Sequence, residues 1–530
     1  MKPFDAIGAF RPPENAIRRL AVRGAGATIF SSGLGVAIQM ASTMILARLL
    51  TPADFGLVTM VTTFSLLLVS FGVNGFTEAI IQWEAVDHAL ASNLFWINLA
   101  TGILLTIGFA AAGSLMARFY HAPLVARIAA GMSLTILASS TSVLHLALLN
   151  RAMVFTAISI NDVIARAASL IVAILLAFAG WGYWALVAGA VALPVSQSIG
   201  AWYLCRWIPG LPRRTPGTSS AVRFAMNIYG RFTVNYGSRN LDNLLVGWRF
   251  AAQALGFYKK AYDLFALSAG QLVAPLSNVA LAALSRVNRD SVQYRKHLLN
   301  ILAVIAFVGM GLGAELTLVG KDVIRLLLGP GWEASGRIFT YFGPGIGIMF
   351  LYYTHGWIHL SIGKADRWFR WGVVEFIVTA LLFILGLRRG PTGVALAWTA
   401  SFWILTIPAF WYAGRPIQLR VGSIVAAAWK YVLASAIAGS TSALIIRTLP
   451  SLAAASGAVE AALHIVVSTL LFGILYLSAL ILLHQGCTPL YQFASVLREM
   501  VPWERFRKST LPSYPSVEPE PLAVSQPKAV

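Results

Sequence analysis

The chain has 530 residues, of which 58% are hydrophobic and only 11% charged, and its mean hydropathy of +0.73 excludes an ordinary soluble globular domain. A formal charge of +20 would suggest nucleic acid in a soluble protein, but here Lys and Arg fall mostly in short connections between apolar runs, where they orient a chain against anionic lipid. The two cysteines, Cys205 and Cys487, lie near the ends of apolar segments without disulfide or metal-site spacing.

Residues 1–23 are basic and run into a long apolar stretch without a convincing cleavage site, so they read as a cytosolic arm. Apolar runs of about twenty residues then recur, each long enough to cross a hydrocarbon core of roughly 30 Å. Fourteen are expected. Six lie in residues 24–204: Thr28 to Leu46, Phe55 to Ile81, Asn93 to Met116, Leu124 to Leu148, Ile158 to Phe178 and Tyr183 to Leu204. After a proline- and arginine-rich linker at 205–223, six more lie in 224–412: Phe224 to Trp248, Leu264 to Leu284, Leu298 to Leu318, Ile338 to Leu360, Trp371 to Leu387 and Val394 to Trp411. A last pair, Ile424 to Ile446 and Ala461 to Leu483, occupies 421–484, and the proline-rich tail, 485–530, reads as cytosolic and largely disordered. With both termini cytosolic, the inner segments carry about twice as many Lys and Arg residues as the outer loops. The fold class is therefore an all-α polytopic membrane protein.

A weak repeat joins the two six-span blocks. His145-Leu146 with Phe155 is matched by His359-Leu360 with Phe369, and Arg48 to Gly56 resembles Arg249 to Gly256 with one gap. Such repeats often place a transport site at the interface between halves. Because each block has an even number of spans, the halves share one orientation.

The seventh span carries the most chemistry. At 100° per residue, Asn227, Arg231, Asn235, Arg239 and Asp242 fall in a sector of roughly 120° on an otherwise apolar helix. Arg at mid-helix costs at least ~2.5 kcal/mol on insertion scales, so the stripe points to a watery cavity or fixed partners. The competing reading is an Arg239–Asp242 pair that only pins packing. A second stripe, Thr59, Thr63, Ser70, Asn74 and Thr77, fits a cavity or helix-to-helix hydrogen bonding equally well. Lys260, Gln271 and Asn278 share a face beside Pro275, as a cavity extension or a static kink. Asp162 and Arg166 have the spacing of an intrahelical ion pair. His145 and His359 lie near expected cytosolic ends, where interfacial placement is ordinary and a proton-carrying role is the lesser reading. Gly343-Pro344-Gly345-Ile346-Gly347 permits a hinge or a fixed kink.

Nothing in the sequence signals catalysis or a cofactor. Gly363-Lys364 is followed by Ala365, so no nucleotide phosphate loop forms, and there is no HExxH helix or Cys/His metal cluster. No nucleic acid partner is expected.

Ala47-Arg48-Leu49-Leu50-Thr51-Pro52-Ala53-Asp54-Phe55-Gly56-Leu57, then Gly75-Phe76-Thr77-Glu78-Ala79-Ile80-Ile81-Gln82, resembles the Wzx-type polysaccharide flippases of the multidrug/oligosaccharidyl-lipid/polysaccharide superfamily. Asp242-Asn243-Leu244-Leu245-Val246-Gly247 leading to Leu255-Gly256-Phe257-Tyr258 is a counterpart in the second half. The resemblance implies two six-helix bundles around a cationic cavity, two further helices, and alternating access driven by an ion or the membrane potential. The implied substrate is an undecaprenyl-diphosphate-linked oligosaccharide, moved from the cytoplasmic to the outer face of a bacterial inner membrane for O-antigen, capsule or exopolysaccharide synthesis. Membrane lipids, a polysaccharide polymerase and other assembly proteins are the implied partners. Arg231, Arg239, Asn235, Arg48, Arg249 and Lys260 are the candidate contacts to the lipid diphosphate, and Asp242, Asn74 and Gln271 the candidate ion-coupling or polar cavity residues. The chain departs from the family where Trp248-Arg249-Phe250-Ala251 replaces the frequent Gly-Arg-x-Leu-Gly, and where Lys259-Lys260 adds charge.

Three other functions compete. A membrane polymerase or ligase usually carries a large outer catalytic loop, whereas the longest outer connection here is Val319 to Arg337. A multidrug exporter of the same superfamily would want an acidic cavity. A scaffold for a polysaccharide machine leaves buried Arg unexplained.

Overall fold

The computed structural model describes residues 3–5, 8, 10, 17–83, 86–213, 215, 217–287, 290–448 and 457–500. Within its helices, the side chains at 17–23, 25, 72–74, 227, 231, 234, 235, 238, 239, 267–276, 278, 279, 282, 365 and 495–500 lie outside the description.

The described residues are helical throughout, with no strand. The first six long helices are α1 (Ile17–Leu49), α2 (Pro52–Gln82), α3 (His88–Phe119), α4 (Leu124–Arg151), α5 (Phe155–Phe178) and α6 (Tyr183–Cys205). A long α7 (Thr218–Arg286) follows, then α8 (Ser291–Leu328), α9 (Glu333–Ser361), α10 (Ala365–Gly386) and α11 (Gly390–Gly414). The chain continues through α12 (Val421–Arg447) and α13 (Ala458–His484) to a short α14 (Thr488–Met500). Ten stretches are long and apolar enough to cross a membrane, one of them, Asp366–Ile417, taking in both α10 and α11. Neither α7, with its polar stripe, nor α9, rich in Gly, Tyr and His, meets that measure, yet both pack among the others.

Two expectations at the ends change. The arm and α1 overlap, because helix starts at Ile17. The tail opens with α14, whose Phe493 ring meets Phe307 of α8 at 5.2 Å, an aromatic anchor the proline count hid.

Helix α7 is two arms joined at Ala251, whose φ of 62° and ψ of −178° interrupt the helix. Counting the arms separately makes the repeat visible. In the first bundle α4 packs on α2, α3 and α6, and α5 packs on α6. In the second, α9 packs on α7, α8 and α11, and α10 on α11. The Tyr258 and Tyr262 rings against Phe342 show that the second arm of α7 takes the place of α2. Helices α12 and α13 pack on each other and on α8.

The glycine run of α9 is a packing seat. A Cβ at Gly343 would overlap Thr317 of α8, and Gly309 and Gly313 of α8 lie against Gly347 and Gly343, so both helices offer small residues four apart and their backbones meet. Pro344 takes away one backbone donor, and the neighbouring carbonyls find others. Thr399 Oγ1 donates to Tyr341 O at 2.6 Å, and Trp403 Nε1 to Pro344 O at 3.1 Å. The static alternative to a hinge thus has a physical basis on both sides of the proline.

The end of the first bundle bearing the α6–α7 connection is closed by aromatics. Phe4, His88, Phe95, His145, Trp202 and Trp207 form one cluster. Asn93 pins the linker, accepting from Arg213 N at 2.9 Å and donating to Arg213 O at 2.6 Å. Arg151 Nη1 donates to the carbonyls of Ile80 and Trp83, each at 2.6 Å, capping the last turn of α2 with positive charge.

Candidate functional site

The two bundles meet along α2 and the first arm of α7. Tyr229 and Tyr236, seven residues apart and so on one face, donate to the carbonyls of Leu67 at 3.1 Å and Thr63 at 2.9 Å. Thr59 and Thr63 bond back to the carbonyls of Phe55 and Thr59 within α2. Among the described residues, Tyr229 and Tyr236 of α7 make hydrogen bonds from helix to helix, whereas Thr59 and Thr63 bond within α2. The spacing of the two tyrosines was the available signal. Another face of the same arm, at Gly230 and Gly237, borders open space.

At the end bearing the α1–α2 turn the halves close on each other reciprocally. A Cβ on Gly56 would overlap the carbonyl oxygen of Ala252, and one on Gly256 would overlap that of Pro52. Each half thus contributes one glycine and one carbonyl to the same contact. Only residues without a Cβ allow this approach. Trp332 spans the joint: Nε1 donates to Ala47 O at 2.9 Å while its ring meets Phe55 at 5.6 Å and Phe257 at 5.9 Å. Ser335 Oγ donates to Phe257 O at 2.9 Å. Beside this joint, a cavity of about 460 Å³ is lined by Lys321, Asp322, Arg325, Glu333, Arg337 and His464, with His464 Nδ1 2.7 Å from Asp322 Oδ2. At its rim the Glu333 carboxylate accepts from Gly331 N at 3.1 Å, and backbone donors hold its pKa below the usual carboxylate value.

Of the residues expected to touch a lipid diphosphate, the structure brings three to this closed end and not to an open cleft. Arg48 Nη2 donates to Leu326 O at 3.0 Å, meeting a free carbonyl in the last turn of α8, where a cation is favoured. Lys260 is 9% exposed, with Nζ 4.1 Å from the Phe55 ring centroid. Its neighbour Lys259 pairs with Asp263 one turn on. Arg249 is exposed, 5.7 Å from the Phe250 ring, next to the break in α7. The sequence does not show that the α1–α2 turn and the α7 break fold against each other, although Lys259-Lys260 reads as charge near the outer mouth. The side chains of Arg231, Asn235, Arg239, Asn74 and Gln271 lie outside the described residues, as do those of Asn227 and Asn278.

Asp242 is enclosed, 2% exposed, and does not border open space. Its Oδ2 accepts from Tyr258 OH at 2.9 Å and its Oδ1 from Asn243 N at 2.8 Å, so the carboxyl ties the two arms of α7 together across Ala251. Asp162 and Arg166 pair at 2.7 Å, as their spacing predicts, and Gln197 adds a 3.0 Å bond to the same carboxyl. Both repeat-related histidines lie near the ends of their helices and are fully buried there. Aromatic side chains from α6 and α11 cover them, and hydropathy alone gives no notice of that. Among the described residues, no group of three or more His, Cys, Asp and Glu could hold a metal ion.

Similarity agrees with this architecture. The chain is 23% identical over 372 residues to the teichuronic acid biosynthesis protein TuaB of Bacillus subtilis (strain 168), covering 69% of this chain and 76% of that one. It is 21% identical over 392 residues to the succinoglycan biosynthesis transport protein ExoT of Rhizobium meliloti (strain 1021), covering 73% and 78%. Its fold superposes on that of a lipid II flippase, MurJ, in an inward closed conformation, with a TM-score of 0.70 and 15% identity over 88% of this chain and 99% of that one. A multidrug resistance MATE transporter in an inward-facing conformation gives a TM-score of 0.56 at 12% identity, over 72% and 94%. The polysaccharide biosynthesis protein family matches residues 45–336, more than half of the sequence, and with two repeated bundles and two added helices the chain belongs to that family, a multi-pass membrane protein with the fold of the multidrug/oligosaccharidyl-lipid/polysaccharide transporters.

Proposed function

We propose that the protein is a flippase for an undecaprenyl-diphosphate-linked oligosaccharide, working by alternating access across a bacterial inner membrane. The observation that carries the reading is the reciprocal Gly56–Gly256 joint, which closes one end of two repeat-related bundles. A joint made of bare backbone contact, a few polar bonds and the Trp332 ring between Phe55 and Phe257 leaves the helices of each bundle packed on one another when it parts, and that is what a rocking motion requires.

With both termini cytosolic, the joint faces outward. The six helices before α7, its two arms, and α8 to α13 then supply fourteen crossings, and the α6–α7 linker is cytosolic. The polar stripe on the first arm of α7, with Arg231 and Arg239, offers permanent positive charge and planar donor sets to the diphosphate. The polyprenyl tail stays in lipid. The substrate class comes from family membership and from relatives named for teichuronic acid and succinoglycan biosynthesis and lipid II flipping. Arg48 and Lys260 act as parts of the outer joint instead of as phosphate ligands.

The experiment is complementation of a flippase-null strain by Arg239→Ala and Arg239→Lys at matched membrane abundance. Transport should vanish in the first and persist in part in the second. Wild-type transport by Arg239→Ala would reject the diphosphate contact, and failure of the unmodified chain to restore polymer in any strain lacking a related flippase would reject the function.

A further inference from the structure

The repeat relates His145 of α4 to His359 of α9, yet the two imidazoles are treated differently. His145 Nε2 is 3.1 Å from Trp207 O and its ring stacks on Trp202 at 4.1 Å. His359 is 0% exposed, and neither of its nitrogens has a partner among the described residues. One turn earlier the second bundle adds another imidazole, His355, 3% exposed and 6.1 Å from His359 between ring centroids, with Nε2 also unpartnered. The same position in the first bundle is Thr141, whose hydroxyl donates to Ser198 at 3.1 Å.

Tyr352, His355 and His359 are spaced by three and four residues, so they share one face of α9. The Tyr352 ring lies 4.5 Å from His355, and its hydroxyl accepts from Trp371 Nε1 at 2.9 Å and lies within hydrogen-bonding reach of the Glu375 carboxyl. Toward the α9–α10 turn, the groups facing His359 are Asp366 and Arg367 of α10 and the Tyr412 ring of α11 at 5.7 Å. Arg367 itself donates to Tyr412 O at 2.7 Å. From α8, Tyr294 OH meets Ser361 Oγ at 2.6 Å. Glu375 lies about 14 Å along α10 from Asp366 at 1.5 Å per residue. A line of titratable groups thus leads from the surface turn into the bundle.

A neutral imidazole has one donor and one acceptor, and burying both without partners is unusual enough to ask what they serve. A metal ion would want more donors than this pair supplies, and no group of three is available among the described residues. Imidazole is the side chain whose ordinary charge change falls nearest neutral pH, and Asp366 and Arg367 face His359 with opposite charges.

We propose that His355 and His359, with Glu375 reached through Tyr352, form a proton-binding site in the second bundle that opens at the α9–α10 turn. Each imidazole takes one proton on its unpartnered nitrogen, the proton coming from water at that turn and returning there or passing on toward Glu375. No bond other than N–H forms or breaks. The occupied and empty forms differ in charge inside α9, α10 and α11, which gives the transporter a group through which a proton gradient can bias its two states. This last link rests on the flippase reading; the site itself does not.

The test uses the full chain in lipid nanodiscs, with amide hydrogen exchange followed at about pH 5 and about pH 8 and corrected for the intrinsic rate. Wild type should show a several-fold change in protection confined to α9, α10 and α11. His355→Gln with His359→Gln should abolish it, Glu375→Gln should weaken it, and His145→Gln should leave it in place. If the double variant does not assemble, His359→Gln alone is read in the same way. A wild type whose protection ignores pH, or a double variant that keeps the response, overturns the site. In proteoliposomes carrying a fluorescent polyprenyl diphosphate, movement that ignores both a pH gradient and the double substitution overturns the link to transport while leaving the flippase standing. A pH response lost in the variants, together with no lipid movement in wild type, retains the site and rejects the flippase.

Discussion

The two bundles are built to one plan, but their matching turns and matching histidines are finished differently. The turn into α2 is a full capping box: Asp54 N donates to Thr51 Oγ1 at 3.3 Å and Thr51 N to Asp54 Oδ2 at 2.9 Å. The matching turn inside α7 has no such chemistry and forces Ala251 to a positive φ. His145 has its carbonyl, whereas His359 has none. A duplicated fold whose halves diverge in this way has one half suited to act as scaffold and another that carries strain and unpaired groups, where functional devices tend to gather.

The joint between the halves is where that comparison breaks most visibly. Gly56→Leu or Gly256→Leu drives a side chain into the opposite half's carbonyl, an overpacking cost of more than about 3 kcal/mol for the closed form. Both should insert normally and lose transport. Lys260→Cys, in a Cys487→Ser background, should become reactive to an impermeant maleimide only when one of the glycines is replaced. Retained transport with Lys260→Cys still shielded would show that the closure is not what the glycines serve.

Next in size is the first-half histidine. His145→Gln removes the stacking on Trp202 and disturbs the bond to the Trp207 carbonyl, at a cost of about 1–3 kcal/mol when a buried partner is left unmatched. At about pH 8, where an ordinary imidazole is neutral in the folded and the unfolded chain alike, the loss reports the stacking and the bond alone. Thermal unfolding at that pH checks this, and an unchanged midpoint would erase the contrast with His359.

Much of the fold was readable because lipid demands long apolar helices, and hydrophobic run length reports that demand directly. The repeat was also readable, since Arg48 to Gly56 and Arg249 to Gly256 keep the residues that make the joint. What the motif does was not, because contact between the two copies is a property of the assembled halves. For the same reason Arg48 and Lys260 read as contacts to a lipid diphosphate without the partners they have here, the last turn of α8 for one and the Phe55 ring for the other. Run length said less at α9, where glycines that permit a hinge or a fixed kink are seats for α8 and α11, and where His355 drew no notice in an apolar run.

The tie across the α7 break should be smaller. Tyr258→Phe removes the bond between the arms, worth about 1 kcal/mol, Asp242→Asn weakens it by exchanging a carboxylate for an amide oxygen, and the double variant should be no worse than the more damaging single one. Unfolding in mixed detergent measures the cycle. Additive losses would mean that the two side chains act independently and that the arms are held by packing alone.

The smallest effect has the most telling sign. Ala251 occupies φ 62°, ψ −178°, a region that is essentially restricted to glycine and costs about 1–3 kcal/mol for a residue with a Cβ. Glycine removes that strain and gives back roughly 0.5–1 kcal/mol through the greater freedom of the unfolded chain, so Ala251→Gly should stabilise the protein by about 1 kcal/mol. Thr51→Ala at the matching turn of the first half should cost about 1 kcal/mol, because it removes a working cap. Opposite signs at two repeat-related turns, read from the same unfolding assay, are what a finished half and a strained half predict. A destabilising Ala251→Gly would mean that the methyl group packs to advantage and that the break carries no strain for glycine to relieve.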